Sequence, residues 1–576
     1  MKQIKINSIF FLILFLSLCC FLPSFAQNLP PGQEPGAQVE RLQKESEARK
    51  KAFEKRRTNP AEIQIPQEKE KIPQTEEKIS FTLVQIRITG ATIFTPAQFE
   101  PLYKPYLNQE ITLKDLDDIV AKINAEYQKA GYLTTSVYLP KQEIKDGVVE
   151  IQVLEGRMGG LKIEGNKYFS TSLIEKYFHT KKGGILNINQ LQRDLLRLNL
   201  TSDLDLKSVV SAGKDPGTTD ITLSAKENFP CHLGASFDNQ GTRLTGKWRQ
   251  SASFRSSNAT GNFDSFYESS IFSSDTFGEF VSYSLPIGTY GTKFGLDATY
   301  FKMRIGKEFK PFEIRGLSQI YDPHLSWELA LREAFQANAN LGLEIKSIQK
   351  KTLGTVTSSD QLRIPYFGFN FTETDSFAGQ TTFSPKFSFG TSGFLGASSL
   401  NHPSASRAGT GGSFFKYEQA LNRIQRMPLD SYLSIHTNFQ AASHTLVSSE
   451  QLQLGGANSI RGYPEGDYLA DMGGNMNLDW VMPMYLIPKD WKLNNSGTSM
   501  RHLIEPVFFT DIGGGRLKKV MPGELRDKFL SSIGGGLKFH FGRYASLNLE
   551  WARYTGNRPT SGSGPSTFYL TFQSEI

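Results

Sequence analysis

The sequence predicts a transmembrane β-barrel of about 16 antiparallel strands, preceded by two β-α-α-β-β modules and an N-terminal helix. Three observations predict it. The chain opens with an export signal, yet no later apolar run is long enough to cross a membrane as a helix. A pattern recurs at an offset of 75 residues between residues 81 and 228. From residue 229 onward, apolar and polar residues alternate with a period of two through aromatic-rich segments.

Residues 1–26 read as a signal peptide. Lys2 and Lys5 supply its charge, Ile9 to Leu22 its apolar core, and Ser24-Phe25-Ala26 a small-x-small cleavage site. Cys19 and Cys20 raise a lipoprotein alternative, but neither follows the small residue that lipoprotein processing requires. Cleavage at Gln27 leaves Cys231 as the single cysteine, so an internal disulfide is excluded. Such a chain is not a disulfide-built extracellular scaffold. Its 51 glycines, 42 phenylalanines and 21 tyrosines coexist with a mean hydropathy of −0.34, the balance that strands with one lipid-facing and one watery side produce. A net charge of +7 over 576 residues gives no reason to expect nucleic acid as a partner.

Residues 27–57 contain a charged segment, Ala37 to Arg57, made of good helix formers without proline or glycine. As a helix its ~20 residues would be roughly 30 Å long, about the height of a membrane barrel. A solvated N-terminal arm is the alternative reading. Residues 58–80, with prolines at 60, 66 and 73, read as an extended linker.

The repeat begins with Ile86-Arg87-Ile88-Thr89-Gly90, echoed by Leu161-Lys162-Ile163-Glu164-Gly165, and Phe94 is echoed by Phe169. In the first copy, residues 81–156, Leu113, Leu116, Val120, Ile123 and Tyr127 form an apolar helical stripe that Gly131 ends. Strands at Thr134 to Leu139 and Val148 to Leu154 follow. The second copy, residues 157–228, repeats the plan with a stripe at Ile188, Leu191, Leu195 and Leu198 and strands near 204–210 and 219–225. Helices of this kind need one face of a small sheet to cover, which makes each copy a small domain.

Residues 229–576 carry the barrel signal. Val281, Tyr283 and Leu285 alternate with serines, and Leu547, Leu549 and Trp551 alternate with Asn548 and Glu550. Shared among ~16 strands, the region gives each strand with its connection roughly 22 residues. Within it lies Leu454-Gly455-Gly456-Ala457-Asn458-Ser459-Ile460-Arg461-Gly462-Tyr463, followed about fifty residues later by Phe509-Thr510-Asp511-Ile512-Gly513. The glycines let a loop tip approach a wall closely. An arginine in a narrow lumen needs a carboxylate matched to its planar fork. Arg461, Gly462 and Tyr463 are therefore the candidate loop motif, and Phe509, Asp511 and Gly513 the candidate barrel-wall partners.

Together these features resemble the outer-membrane transporters of two-partner secretion, the TpsB (ShlB/FhaC/HecB) group of the BamA-related superfamily. The resemblance covers the whole mature chain. The repeated modules are similar to POTRA domains. Asp238-Asn239-Gln240-Gly241 with Thr245-Gly246 looks like that family's first barrel strand, and the arginine and aspartate motifs match its loop-tip and wall motifs. Two departures stand out. Ala470-Asp471-Met472-Gly473 replaces the usual glycine-aspartate-x-glycine, and four residues follow the aromatic Phe572 at the C-terminus.

The resemblance implies location in the bacterial outer membrane with the modules in the periplasm, and an N-terminal helix that plugs the resting lumen. It implies a large secreted β-helical adhesin or haemolysin as client. Outer-membrane lipid and lipopolysaccharide would surround the barrel, and the barrel-assembly machinery would insert it. The modules' open sheet edges suit capture of an extended client by backbone pairing. A barrel-assembly insertase of the same superfamily is the closest rival. A porin would have no use for client-binding modules. Gly241 to Lys247 copies phosphate-loop spacing, but Trp248 replaces the metal-holding hydroxyl and no helix follows. Metalloprotease and nucleophile-elbow motifs are absent, so no enzyme and no metal or other cofactor is expected. Histidines 502 and 540 are expected to face a lumen or an interface.

Overall fold

The structure, a computed structural model, describes residues 29–55, 62–64, 80–492, 499–542, 544–560 and 564–576. The signal segment with Cys19 and Cys20, the end of the charged segment at Arg57 and the linker prolines lie outside the described residues.

Helix α1 (Pro35–Lys55) starts two residues before the expected Ala37. Proline is tolerated in the first helical turn, where its missing N–H would have had no partner. The linker is not wholly without structure: Glu62–Gln64 forms a short strand, β1.

The first module comprises β2 (Ser80–Thr82), β3 (Gln85–Thr89), α2 (Pro96–Tyr103), β4 (Glu110–Thr112), α3 (Leu113–Lys129), β5 (Ser136–Tyr138) and β6 (Val148–Leu154). Its sheet runs β3-β6-β5, parallel then antiparallel, and β2 and β4 make a separate ladder. Thr112 caps α3 by accepting the Asp115 N–H. Leu116, Ile119, Ile123 and Tyr127 of α3 are buried against Val149 and Ile151. Ile119 thus joins the stripe, while Leu113 and Val120 lie half-buried at its margin.

The second module comprises β7 (Arg157–Glu164), α4 (Thr171–Lys176), α5 (Ile188–Asn199), β8 (Leu204–Ala212) and β9 (Thr218–Glu227). Its sheet has four strands rather than three, in the order β1-β8-β9-β7, because the linker strand adds to it. The repeat has one physical basis in both copies. Gly90 and Gly165 hold φ of +81° and +85°, and a Cβ at either would press on the carbonyl of Val153 or Ala225. The modules meet where Asn187 and Ile188, at the start of α5, donate to the Ala130 and Gly131 carbonyls at the end of α3.

The barrel closes with 16 antiparallel strands: β10 (Cys231–Asp238), β11 (Arg249–Ser256), β12 (Ser265–Phe272), β13 (Thr276–Ile287), β14 (Thr292–Arg304), β15 (Arg315–Leu331), β16 (Phe335–Thr352), β17 (Thr355–Thr374), β18 (Gly379–Gly390), β19 (Phe414–Arg426), β20 (Tyr432–Ala442), β23 (Met472–Val481), β24 (Ile504–Arg516), β25 (Asp527–Phe541), β26 (Ala545–Tyr554) and β27 (Ser566–Glu575). The expected strand number is borne out. Trp480, Phe508, Phe529, Ile533, Trp551 and Phe568 are exposed on the outer face, and polar residues alternate with them toward the lumen. The C-terminal departure has a structural outlet. Ser574 and Glu575 pair with Ala235 and Gly234, and Ile576 exchanges two backbone hydrogen bonds with Leu233. The four residues beyond Phe572 therefore lengthen the closing ladder.

The second module sits directly beneath the barrel. The β11–β12 turn inserts Phe263 into its core, stacked 5.4 Å from Phe169. Arg197 of α5 binds Glu328 at 2.7 Å, and His179 reaches Thr289. Asp203, just before β8, accepts from His232, Ser257 and Arg255, and Arg255 also pairs with Glu575 at 2.7 Å. Burial opposes the charge of Asp203, but its hydrogen bonds with His232 and Ser257 and the Arg255 charge hold its carboxyl down at about 2.

Candidate functional site

The connection between β20 and β23, residues 443–471, leaves the barrel rim far from the modules and folds back into the lumen. It carries a small hairpin, β21 (Leu452–Leu454) with β22 (Tyr468–Ala470). Gly455 and Gly456, at φ +101° and +106°, turn the chain out of β21. Leu452, Leu454, Ile460, Tyr463 and Tyr468 then bury against Leu517 and Leu530. This apolar contact presses the tip against the wall formed by β23 to β27.

At the tip the Arg461 guanidinium meets the Asp511 carboxylate through both fork positions, Nε at 2.8 Å and a terminal nitrogen at 2.7 Å. The Arg461 backbone N–H donates to the same carboxylate at 2.9 Å. Asp479 lies 2.5 Å and Glu550 3.3 Å from the guanidinium, which stacks 3.4 Å over the Phe509 ring. Arg461 is 5% exposed and Asp511 fully buried. One cation therefore answers three carboxylates, with Asn477 donating to Asp511 at 2.8 Å. A bidentate, hydrogen-bonded pair of this kind is among the strong polar contacts available to a protein.

The other motif residues act through shape. Gly462 has φ +87° and lies so close to the β26 backbone that a Cβ would be 3.0 Å from the Tyr554 nitrogen. Its N–H donates to the Tyr569 hydroxyl at 2.9 Å. Tyr463, 1% exposed, donates to the Asn557 carbonyl at 2.8 Å. A Cβ at Gly513 would come 2.7 Å from Ile460, so that glycine clears space for the loop tip. The structure thus gathers Arg461, Phe509 and Asp511 at one point, while Gly462 and Tyr463 engage β26, β27 and the connection between them. Asp471, in the departing motif, is buried and accepts the Leu446 and Lys518 backbone N–H groups.

Helix α1 lies in the same lumen, clasped along its length. Glu34 pairs with Lys350 at 2.9 Å, Arg41 with Glu465 at 3.4 Å and Glu45 with Arg249 at 2.8 Å. Glu40 reaches Lys346 at 3.1 Å, and Lys346 also binds Glu450 of the inturned loop at 2.7 Å. Val39 and Leu42 pack on Ile271, Phe301, Met303 and Ile348 of the wall. The segment that copies a phosphate loop serves here as a clasp for the helix start. Thr242 donates to Gln33 at 2.7 Å and Thr245 to Gln38 at 3.3 Å. No helix follows it, as the sequence indicates.

Asp479, Glu550 and the Lys346–Glu450 pair were not singled out by motif reasoning. Their signal was parity: each occupies an inward position of an alternating strand or a loop that returns inward. His502 and His540 both meet Glu505, at 3.1 and 3.2 Å. Asp297, Asp322 and His324 form the one group with metal-like spacing among the described residues. Ser282 and Tyr366 already occupy the two carboxylates, so they read as wall hydrogen bonding.

Comparison with known proteins converges on this architecture. Residues 217–537 match the family described as haemolysin secretion/activation protein ShlB/FhaC/HecB, and residues 81–156 match the ShlB-type POTRA domain. The heme/hemopexin transporter protein HuxB of Haemophilus influenzae strain 86-028NP is 24% identical over 529 residues, covering 90% of this chain and 89% of that protein. The outer membrane transporter CdiB of Dickeya dadantii strain 3937 is 25% identical over 467 residues, 79% and 81% of the two chains. Among solved structures, CdiB from Escherichia coli superposes with a TM-score of 0.73 at 20% identity, covering 96% of this chain and all of that one.

Proposed function

The chain belongs to the ShlB/FhaC/HecB family of haemolysin secretion/activation proteins, and from that membership we propose how it handles its client. It is an outer-membrane transporter of two-partner secretion, with its barrel in the outer membrane and its modules in the periplasm. Like its family, it translocates a secreted exoprotein and catalyses no reaction.

In our reading the two modules, residues 81–228, take up the client as an extended segment along their sheet edges. The client then threads the barrel and folds outside, and that folding draws it forward. α1 is the plug of the resting state, and Arg461 at the loop tip holds the inturned loop to Asp511 so that the lumen keeps one defined shape. The observation that carries this reading is the clasped helix: α1 lies within the lumen, tied by ion pairs to the wall and to the inturned loop. The client class we favour is a large β-helical adhesin or haemolysin. Lipopolysaccharide around the barrel and the assembly machinery at its insertion complete the expected partners.

Site-specific photo-crosslinking tests the route. A benzophenone amino acid at Tyr138 on the edge strand β5, and another at Ser282 on the lumen wall beside α1, should both form covalent adducts with the exported partner during secretion. A third at Trp327, on the outer face, should form none. Absence of the lumen adduct, with secretion intact, would mean that the client takes another path.

A further inference from the structure

On the outer face of the barrel, three cations stand in one row. Arg304 closes β14, Arg315 opens β15 and Lys351 lies near the end of β16. The register sets Arg304 opposite Arg315 and Arg315 opposite Lys351. Their neighbours in sequence turn the other way. Met303 packs in the lumen with Val39 and Leu42 of α1, Lys350 pairs with Glu34, and a Cβ at Gly316 would lie 2.8 Å from Pro35. Alternation along each strand therefore points Arg304, Arg315 and Lys351 outward, and all three are exposed. With strands about 4.8 Å apart, the row spans roughly 10 Å.

Like charges directly opposite on one sheet face repel and weaken the pairing. Little in the chain answers them. Among the described residues, Arg304 and Lys351 form no ion pair, and Arg315 has only Glu313, 3.4 Å away with both side chains more than half exposed. Glu308, in the same β14–β15 connection, is held by Arg243, and Asp275, beside the end of β14, accepts from Ser274. Glu279, on the outer face of β13, stands opposite Tyr300 rather than the row.

The height of the row indicates which anion meets it. Thr289, in the turn before β14, touches the second module through His179, so Arg304 lies at the opposite, extracellular rim. Below it the same face is apolar: Tyr300, Leu296 and Phe294 on β14, and Leu317, Tyr321 and Leu325 on β15. Tyr300 stands four residues from Arg304, which on strands tilted by 35–45° is roughly 10 Å. Aromatic residues at the edge of the apolar band mark the membrane interface. The row thus lies at the depth of the outer leaflet's head groups, above an apolar wall for acyl chains.

We propose that Arg304, Arg315 and Lys351 form a binding site for the phosphate groups of lipopolysaccharide. Guanidinium forks take phosphate oxygens in pairs, and the lysine adds a point charge. A glycolipid with two phosphates on one sugar head meets cations spread over roughly 10 Å, which a lipid with a single phosphate does not. This rests on the reading above that lipopolysaccharide surrounds the barrel, and it places one molecule against β14–β16, behind the wall that seats α1.

Native mass spectrometry of the full chain in detergent tests the site, with lipid A carrying both phosphates as the probe. Wild type should retain one lipid A, and Arg304→Gln/Arg315→Gln/Lys351→Gln should need on the order of 100-fold more lipid for the same occupancy. Rising salt should weaken wild-type binding. Heat-modifiable gel mobility should show the variant barrel folded, since the substitutions relieve repulsion. Arg516→Gln/Lys519→Gln/Arg526→Gln removes the same charge from the rim at β24 and β25, where Arg516 already pairs with Asp527, and should bind as wild type does. Equal binding by the row variant and wild type overturns the proposal. Two results on wild type alone do so as well: equal retention of lipid A stripped of its phosphates, or equal occupancy by phosphatidylglycerol at the same concentration. The membrane reading is tested separately, because on a density gradient of cell envelopes the chain should band with lipopolysaccharide. Banding elsewhere removes that reading, whereas banding with lipopolysaccharide and unaltered binding by the row variant removes the site alone.

Discussion

Arg461→Ala should leave a barrel that inserts and resists heat-induced unfolding in detergent but secretes at a small fraction of the wild-type rate. The substitution removes the cation that pairs with Asp479, Asp511 and Glu550 and leaves Asp511 buried without its main partner. Breaking a buried pair in this way costs about 3–5 kcal/mol. At 1.4 kcal/mol per factor of ten, that shifts the inturned loop away from its wall seat by ~10²-fold or more. The barrel itself survives because its 16-strand ladder is closed without the loop. Arg461→Lys should rescue only in part, since a point charge cannot fill both fork positions and loses the stacking on Phe509. Secretion assays run beside heat-modifiable gel mobility separate the two effects. A wild-type secretion rate for Arg461→Ala would remove the loop lock from the mechanism.

Deletion of residues 27–57 should raise single-channel conductance several-fold and abolish the closed resting state. With its side chains an α-helix is about 10–12 Å across, and α1 shares with the inturned loop a 16-stranded lumen that would otherwise be an aqueous channel. Its removal uncovers charges of both signs: Lys346, Lys350 and Arg249, which face Glu40, Glu34 and Glu45, and Glu465, Glu418 and Asp238, which face Arg41, Lys44 and Arg49. Bilayer recordings measure both quantities. A conductance unchanged by the deletion would show that α1 does not close the lumen.

The sequence carried the architecture because its signals are local. Period-two alternation and the paired glycines 90 and 165 report strand faces and close backbone approach within a few residues of themselves. The Arg461–Asp511 contact was legible because each half lies in a short motif. What escaped was set by tertiary partners. β1 lies among prolines, and only the vacant edge of β8 makes Glu62–Gln64 a strand. α1 is polar on nearly every side, which by itself suits a solvated arm. Its complements are lumenal charges such as Lys346 and Arg249, brought around it only by barrel closure. Asp479 lies 18 residues and Glu550 89 residues from Arg461, neither within a motif, and Ile119 is buried with Leu116 and Ile123 on a face of α3 turned slightly from the expected stripe.

The central claim is that the lumen is shut at rest by α1 and that secretion needs it to leave. A reversible lock tests this most directly. A Cβ at Gly36 would lie 2.8 Å from the Ser448 hydroxyl on the inturned loop, so Gly36→Cys with Ser448→Cys, in a Cys231→Ser background, places two thiols within bonding reach. The measurement is secretion of the partner exoprotein by cells carrying this pair, with the crosslinked fraction read on the same samples. The account predicts secretion falling in proportion to the crosslinked fraction and returning when the disulfide is reduced. Wild-type secretion by fully crosslinked transporter would contradict it.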